Sequence, residues 1–335
     1  MIHKAARNAL FFAALTLLLF VSWFSFHFYY PNRGEPEEII FEVQRGDTAR
    51  KIAQKLKDRG VIRQKAIFIL GYRLFFSPQS LKAGEYAIRF PQSTKEILRV
   101  LTEGQVVLHP ITIPEGLTRQ EIALHLQTTV SVDYHDFLIA SEETAPIASM
   151  DPMASDLEGY LFPETYHFPK DFGAEDIVLA MVSQFRTVFG AQWQERAEEL
   201  GMTVREAVTL ASLIEKETSL PEERAFVSSV FHNRLRKGMK LDCDPTIIYA
   251  LKQEGRFMDR LRTADLRYDT AYNTYLYPGL PPGPIANPGK ESLRAALYPA
   301  DTDYFYFVSR NDGSHQFSQT FREHQNAVIR FQKRR

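Results

Sequence analysis

The chain reads as an α+β protein with three parts: an N-terminal membrane-crossing helix, a small α/β subdomain, and a mainly helical domain with small β elements. Three observations predict this. Residues 9–30 carry no charged side chain over a stretch that, as a helix, spans the roughly 30 Å hydrocarbon core of a bilayer. Between 39 and 105, short alternating apolar runs are interspersed with 3.6-residue periodicity. From Ala174 onward helical spacing dominates, broken by one long Tyr/Pro/Gly-rich stretch. A chain of 335 residues that is 44% apolar has enough material for more than one core.

The N-terminal run is preceded by Lys4 and Arg7 and followed by Arg33, Glu35, Glu37 and Glu38. Basic residues ahead of the span favour a cytoplasmic tail (1–8), a transmembrane helix (9–30) and export of everything after Pro31. Trp23, Tyr29 and Tyr30 stand where interfacial aromatics belong. The run exceeds the apolar region of a signal peptide and ends in Phe-His-Phe-Tyr-Tyr-Pro, a poor cleavage site, so an uncleaved anchor is expected. The sole cysteine, Cys243, rules out an intrachain disulfide; it is either a small buried residue or a reactive thiol. A large exported part without disulfides fits a bacterial protein. Basic and acidic residues are well mixed at a net charge of −1, which does not match a nucleic-acid binder. The aromatic content suits both sugar stacking and an ordinary core.

After a polar linker (31–38), Ile39–Val43 alternates as a strand, and Asp47 or Thr48 caps a helix carrying Ile52, Ala53 and Leu56 and ending at Gly60. A second helix is expected from Gln64 to Phe75, a turn and strand over 81–90, and a helix from Ser93 or Thr94 to Gly104. The run Phe-Glu-Val-Gln-Arg-Gly-Asp-Thr-Ala-Arg-Lys-Ile-Ala (41–53) resembles the opening of a LysM module, so 39–105 is taken as a LysM-like subdomain with either glycan-binding or scaffolding use. A connecting α/β region (106–170) follows, with a strand at 106–113, a turn at 114–116, helices near 118–127 and 131–141, and an irregular stretch at 145–156. The last domain (171–335) holds helices near 174–189, 191–200, 203–217 and 221–237. The loop 265–289, a helix at 292–297, a strand at 304–309, an Asn-Asp-Gly hairpin, a short strand and a terminal helix complete it.

The segment Ala-Ser-Leu-Ile-Glu-Lys-Glu-Thr (211–218) brings two carboxylates to the end of an apolar helix, and a carboxyl among aliphatic groups tends to stay protonated and able to donate. At 100° per residue, Val204, Val208 and Ala211 lie within about 40° of Glu215, whereas Glu217 projects about 160° away, near Glu206, Leu210 and Leu213. Glu215 is thus either a catalytic acid or a helix end set against a basic partner, and Glu217 a supporting or solvated group. No His-Glu-x-x-His, Gly-x-Ser-x-Gly, phosphate loop or dinucleotide fingerprint occurs, and neither metal nor cofactor is expected. His167 and His232 read as structural or exposed.

Four motifs carry a wider resemblance: residues 157–166 (Leu-Glu-Gly-Tyr-Leu-Phe-Pro-Glu-Thr-Tyr), 211–218, the pair 230–235 (Val-Phe-His-Asn-Arg-Leu) and 244–249 (Asp-Pro-Thr-Ile-Ile-Tyr), and the Tyr/Pro/Gly-rich 272–289. Together they resemble the endolytic murein transglycosylase (YceG-like) family over nearly the whole chain. Cys243, where the family usually has a small polar residue, and Leu276-Tyr277 depart from the pattern. The resemblance implies a lyase that cuts nascent peptidoglycan strands between N-acetylmuramic acid and N-acetylglucosamine, leaving 1,6-anhydro ends. It makes Glu215 the general acid and then base, working outside the bacterial inner membrane. Glu217, Glu164, Tyr166, Asn233, Asp244, Thr246, Tyr272, Asn273, Thr274 and Tyr275 are candidates to line the cleft or orient the acid, with turn and capping chemistry as the alternative role of each. Peptidoglycan strands are the expected partner, and peptidoglycan synthases candidate neighbours. A hydrolytic muramidase and a non-catalytic peptidoglycan-binding scaffold are the competing functions.

Overall fold

The computed structural model describes residues 2–32, 38–257 and 259–332. Residues 33–37, with Arg33, Glu35, Glu37 and most of the expected linker 31–38, lie outside the described residues. Two compact units form: Met1–Pro110 with His167–Phe172, and Ile111–Tyr166 with Gly173–Arg335.

In the first unit, helix α1 (Ile2–Tyr29) contains a 24-residue segment, Ala6–Tyr29, that is long and apolar enough to cross a membrane. It starts at Ile2, so the residues expected as a tail continue the helix; nothing in 2–8 breaks it. Strand β1 (Glu38–Val43), helices α2 (Ala49–Asp58) and α3 (Lys65–Gly71), strand β2 (Gly84–Arg89) and helix α4 (Thr94–Glu103) follow. A single π-helical turn, Tyr72–Phe76, extends α3. The strands pair antiparallel, Phe41 opposite Tyr86 and Val43 opposite Gly84. Thr48 caps α2, and Ser93 forms a reciprocal capping box with Glu96 on α4, which stops at Gly104 in the left-handed conformation. Asp47, paired with Lys51 at 2.7 Å and Lys55 at 2.6 Å, is held down to about 2 by those hydrogen bonds. Phe41, Ile52, Leu56, Phe68 and Leu98 form the core, together with Phe24 and Phe28 from the end of α1.

Strands β3 (His109–Thr112) and β4 (Thr165–Phe168) make a second two-stranded sheet. The strand expected over 106–113 is thus confined to four residues: Val107 N–H already donates to Glu85 O, which leaves 106–108 irregular.

The second unit contains α5 (Arg119–Val130), α6 (Tyr134–Ala140), α7 (Ala174–Val188), α8 (Ala191–Glu199), α9 (Val204–Glu217), α10 (Arg224–Arg236), α11 (Asp244–Gln253), α12 (Lys290–Leu297), β5 (Tyr306–Ser309), β6 (His315–Ser318) and α13 (Phe321–Phe331). Helix α9 is the hub. Thr203 and Glu206 cap its start reciprocally, and α8, α10, α11 and α12 pack around it. Every residue from Ala207 to Ile214 is buried, so the helix is covered on all sides and has no solvent face to organise it. An extended Thr218 ends it. The residues before α10 form a 3₁₀ turn, Pro221–Glu223, instead of joining the helix as expected.

Helix α11 is unanticipated by the sequence reading. Its Pro245 occupies the first turn, where a missing N–H costs nothing. The hairpin at 311–313 joins β5 and β6, Ser309 opposite His315.

Candidate active site

The end of α9, the start of α11, the loop 272–277, β5 and α13 wall a cavity of about 370 Å³. Glu217, Asp244, Tyr275 and Arg234 supply its polar surface, and Tyr306, Phe307 and Phe321 its aromatic surface. Burial lifts the Glu217 carboxyl above the ordinary carboxylate range; the hydrogen bond from Cys243 opposes this, and the Asp244 charge adds to it. Cys243 Sγ sits 3.0 Å from Glu217 Oε1, and burial together with the Glu217 charge keeps the thiol protonated as a donor. Among the described residues, Oε2 of Glu217 has no hydrogen-bond partner. A carboxyl lifted by burial at the wall of an aromatic cavity is the arrangement a general acid requires.

The wall is braced from behind. Thr274 Oγ1 accepts from Cys243 N–H at 3.0 Å and lies 3.0 Å from Thr246 Oγ1, which donates to Cys243 O at 2.7 Å. Tyr275 O–H donates to Asp244 Oδ1 at 2.6 Å, and burial with that bond pushes its phenol up, keeping it neutral. Arg234 stacks over Tyr306 at 5.2 Å, donates to Phe305 O at 2.7 Å and Leu241 O at 2.9 Å, and pairs with Asp242 at 3.0 Å. The ring of His324 stacks on Tyr306 at 5.2 Å; burial and Arg234 hold it below the usual histidine range.

Glu215 occupies a different setting. Its side chain is only 8% exposed, yet its carboxyl end is polar. Gly289 N–H donates to Oε2 at 3.0 Å, and Arg224 lies 3.5 Å from Oε1. Arg224 also faces Glu115 at 3.7 Å, and partial burial with the Glu215 charge pushes the Glu115 carboxyl up. The aliphatic surroundings expected for Glu215 therefore surround its Cα and not its carboxyl. The solvated helix end expected for Glu217 is instead a cavity wall. A helical wheel could not separate the two acids because α9 is buried all round.

The other sequence-derived candidates divide by position. Asp244 and Tyr275 line the cavity, and Thr246 and Thr274 support it through Cys243. Asn233 holds the approach to β5, donating to Thr302 O and Tyr304 O at 2.8 Å each. Asn273 clamps its own loop through Leu266 O and Tyr268 O. Tyr272 lies with Tyr249 and Glu158 at a separate hollow. Glu164 is exposed and caps Thr165 N–H, while Tyr166 O–H donates to Phe162 O at 2.6 Å; neither lines the cavity, and both serve the turn before β4. Arg234, Tyr306, Phe307 and His324, absent from the residues expected at the site, reach it from distant elements. Arg224, Glu115 and Gly289, equally unexpected, surround Glu215. Arg234 and Gly289 lie inside motifs already quoted, and are the legible signals.

A larger hollow, about 640 Å³, opens beside the start of α9 and Pro281, but its carboxylate, Glu206, is committed to capping Thr203. Asn287 knots the second unit together: it accepts from Leu161 N–H, donates to Leu117 O, and donates to the buried Glu158, whose carboxyl burial pushes up to about 8.

The chain belongs to the YceG-like family, whose sequence model matches residues 41–330. It is 34% identical over 313 residues to the endolytic murein transglycosylase of Bacillus subtilis (strain 168), covering 88% of this chain and 84% of that one. The protein of the same name from Streptococcus pneumoniae (strain D39) is 28% identical over 299 residues, 80% of this chain and 53% of the relative. A crystal structure of a yceG-like protein from Listeria monocytogenes matches with a TM-score of 0.59 at 34% identity, covering 87% of this chain and 98% of that one.

Proposed function

We propose that this protein is a membrane-anchored peptidoglycan lytic transglycosylase that cuts glycan strands internally, between N-acetylmuramic acid and N-acetylglucosamine. Glu217, in place of the Glu215 favoured from the sequence, is the acid in this reading. The observation that carries it is a carboxyl lifted by burial on the wall of an aromatic cavity. The names of the related proteins support the substrate class and the mode of cutting.

Glu217 first gives its proton to the departing glycosidic oxygen as the C1–O bond breaks. Its carboxylate then takes the proton of the muramic acid C6 hydroxyl as that oxygen bonds to C1. The products are a free 4-hydroxyl and a 1,6-anhydro end. The nucleophile belongs to the same sugar, so no second carboxylate is needed to hold water. Phe307 and Phe321 offer apolar surface for sugar contact, and Tyr306, covered by Arg234 and His324, backs the wall. Lys4 and Arg7 in the first turns of α1 support an inner-membrane anchor with the cavity outside the cytoplasm, where peptidoglycan synthases work. The β-α-α-β order over 38–89 supports a LysM-like role for the first unit, in glycan contact or as a scaffold.

One observation favours a second reading. Asp244 is a carboxylate on the same cavity, and a hydrolytic muramidase would use it to activate water. Incubating the full chain, in detergent micelles, with purified murein and reading fragment ends by mass spectrometry separates the readings. Anhydro ends are expected, lost in Glu217→Gln and kept in Glu215→Gln. Reducing muramic acid ends would make it a hydrolase, loss in Glu215→Gln alone would move the acid back, and murein binding without cutting would leave a scaffold.

A further inference from the structure

The π-helical turn Tyr72–Phe76 leaves Leu74 61% and Phe75 53% exposed. A large side chain standing in water is ordinary when single; two adjacent ones on a turn point to a partner. The position of this turn relative to α1 identifies it.

The ring of Phe75 stacks on Phe28 at 5.3 Å and on Phe24 at 6.5 Å, and the two α1 rings stack on each other at 5.2 Å. Phe28 is fully buried, with its ring against Gly71. The contact is reinforced where α1 ends. Thr94 Oγ1 donates to His27 O, Asn32 donates from its side chain to Val61 O and Gln92 O, and Lys95 lies over the Tyr29 ring at 5.1 Å. The helix end and the turn therefore keep a fixed relative height.

That height is set by the span. Ala6–Tyr29 is 24 residues, about 36 Å as a helix and more than the roughly 30 Å hydrocarbon thickness. Phe24 lies about 7.5 Å inside its end. Trp23, Tyr29 and Tyr30 are exposed aromatics of the kind that mark the lipid–water boundary. Phe75, in contact with Phe24 and Phe28, lies at the same level, next to the exposed Arg73.

We infer that the Arg73–Phe75 turn is a second membrane contact, with Leu74 and Phe75 in the acyl–headgroup boundary and Arg73 and Lys95 at the level of anionic headgroups. The partner is the lipid surface that α1 crosses, so the inference rests on the anchor reading above. The first unit then lies against the bilayer instead of hanging from it.

The test uses the full chain carrying Cys243→Ser, reconstituted in phosphatidylethanolamine/phosphatidylglycerol vesicles, with an environment-sensitive fluorophore on Leu74→Cys or, separately, on Leu17→Cys in mid-span. The expected result at Leu74→Cys is a blue-shifted emission, quenched by shallow nitroxide lipids and not by aqueous iodide. Quenching by iodide and not by lipid would overturn the inference, as would protection from both, which would mean a second protein surface covers the turn. The Leu17→Cys label distinguishes the readings. If it reads hydrocarbon while Leu74→Cys reads water, only the turn fails as a membrane contact. If it too reads water, the anchor reading falls and takes this inference with it.

Discussion

Cys243 donates its thiol hydrogen to Glu217 across 3.0 Å, joining the start of α11 to the last residue of α9. The bond favours the charged carboxylate, while burial favours the neutral acid and is the larger influence. Replacing the thiol by a group that cannot donate removes the opposing influence. Cys243→Ala should raise the alkaline limb of the murein-cleavage pH profile, and Cys243→Ser, a stronger donor, should lower it. Profiles of both variants check this, and coincident limbs would exclude Glu217 as the titrating acid.

Arg224 holds Glu215 on one side and Glu115 on the other. Arg224→Met leaves the covered Glu215 carboxylate with a single N–H donor. Removing one partner of a buried ion pair costs about 3–5 kcal/mol. Urea denaturation should show a loss of that order, against a smaller loss for Glu215→Gln, which keeps its acceptor for Gly289 and leaves Arg224 paired with the half-exposed Glu115.

Glu158 binds its proton more tightly in the folded chain, at about 8, than the ordinary value of 4.5. Its contribution to stability is therefore full below the unfolded value and is lost as pH rises through the folded one. Across that window stability should fall by about 1.4 kcal/mol per pH unit from this group alone. Glu158→Gln should flatten the decline while keeping an acceptor for Arg119 N–H and Asn287. Urea midpoints at acidic and mildly alkaline pH, compared between wild type and variant, provide the measurement.

Gly71 leaves room for Phe28: a Cβ there would lie 2.2 Å from the ring. The ring is wedged between Phe24 and Phe75 and cannot yield cheaply. Gly71→Ala should cost about 1–3 kcal/mol through overpacking and lower the melting temperature of the first unit.

Much of the fold was legible because local chemistry decided it. Thr48, Ser93 and Thr203 announce helix starts, Gly104 a helix end, and Asn-Asp-Gly a hairpin. Helix α11 was not, because Pro245 reads as a breaker unless it falls in a first turn. The candidate site was legible to within two residues of one helix. The remaining choice depended on what surrounds each carboxyl. For Glu215 that is Arg224 and Gly289, and for Glu217 it is Cys243 with aromatic walls, groups brought from up to about a hundred positions away. Periodicity reports which face of a helix is buried; it does not report whether a polar atom waits at the end of the side chain.

Phe24, Phe28 and Asn32 are buried in the interior of the first unit, the two phenylalanines in the same cluster as the core residues of α2 and α4. Excision of the apolar segment at Tyr30, the usual way to make such a protein water-soluble, would therefore remove part of a core and uncover the notch at Gly71. A fragment meant to stay folded needs to begin before Trp23, or to carry a replacement for the two phenylalanines.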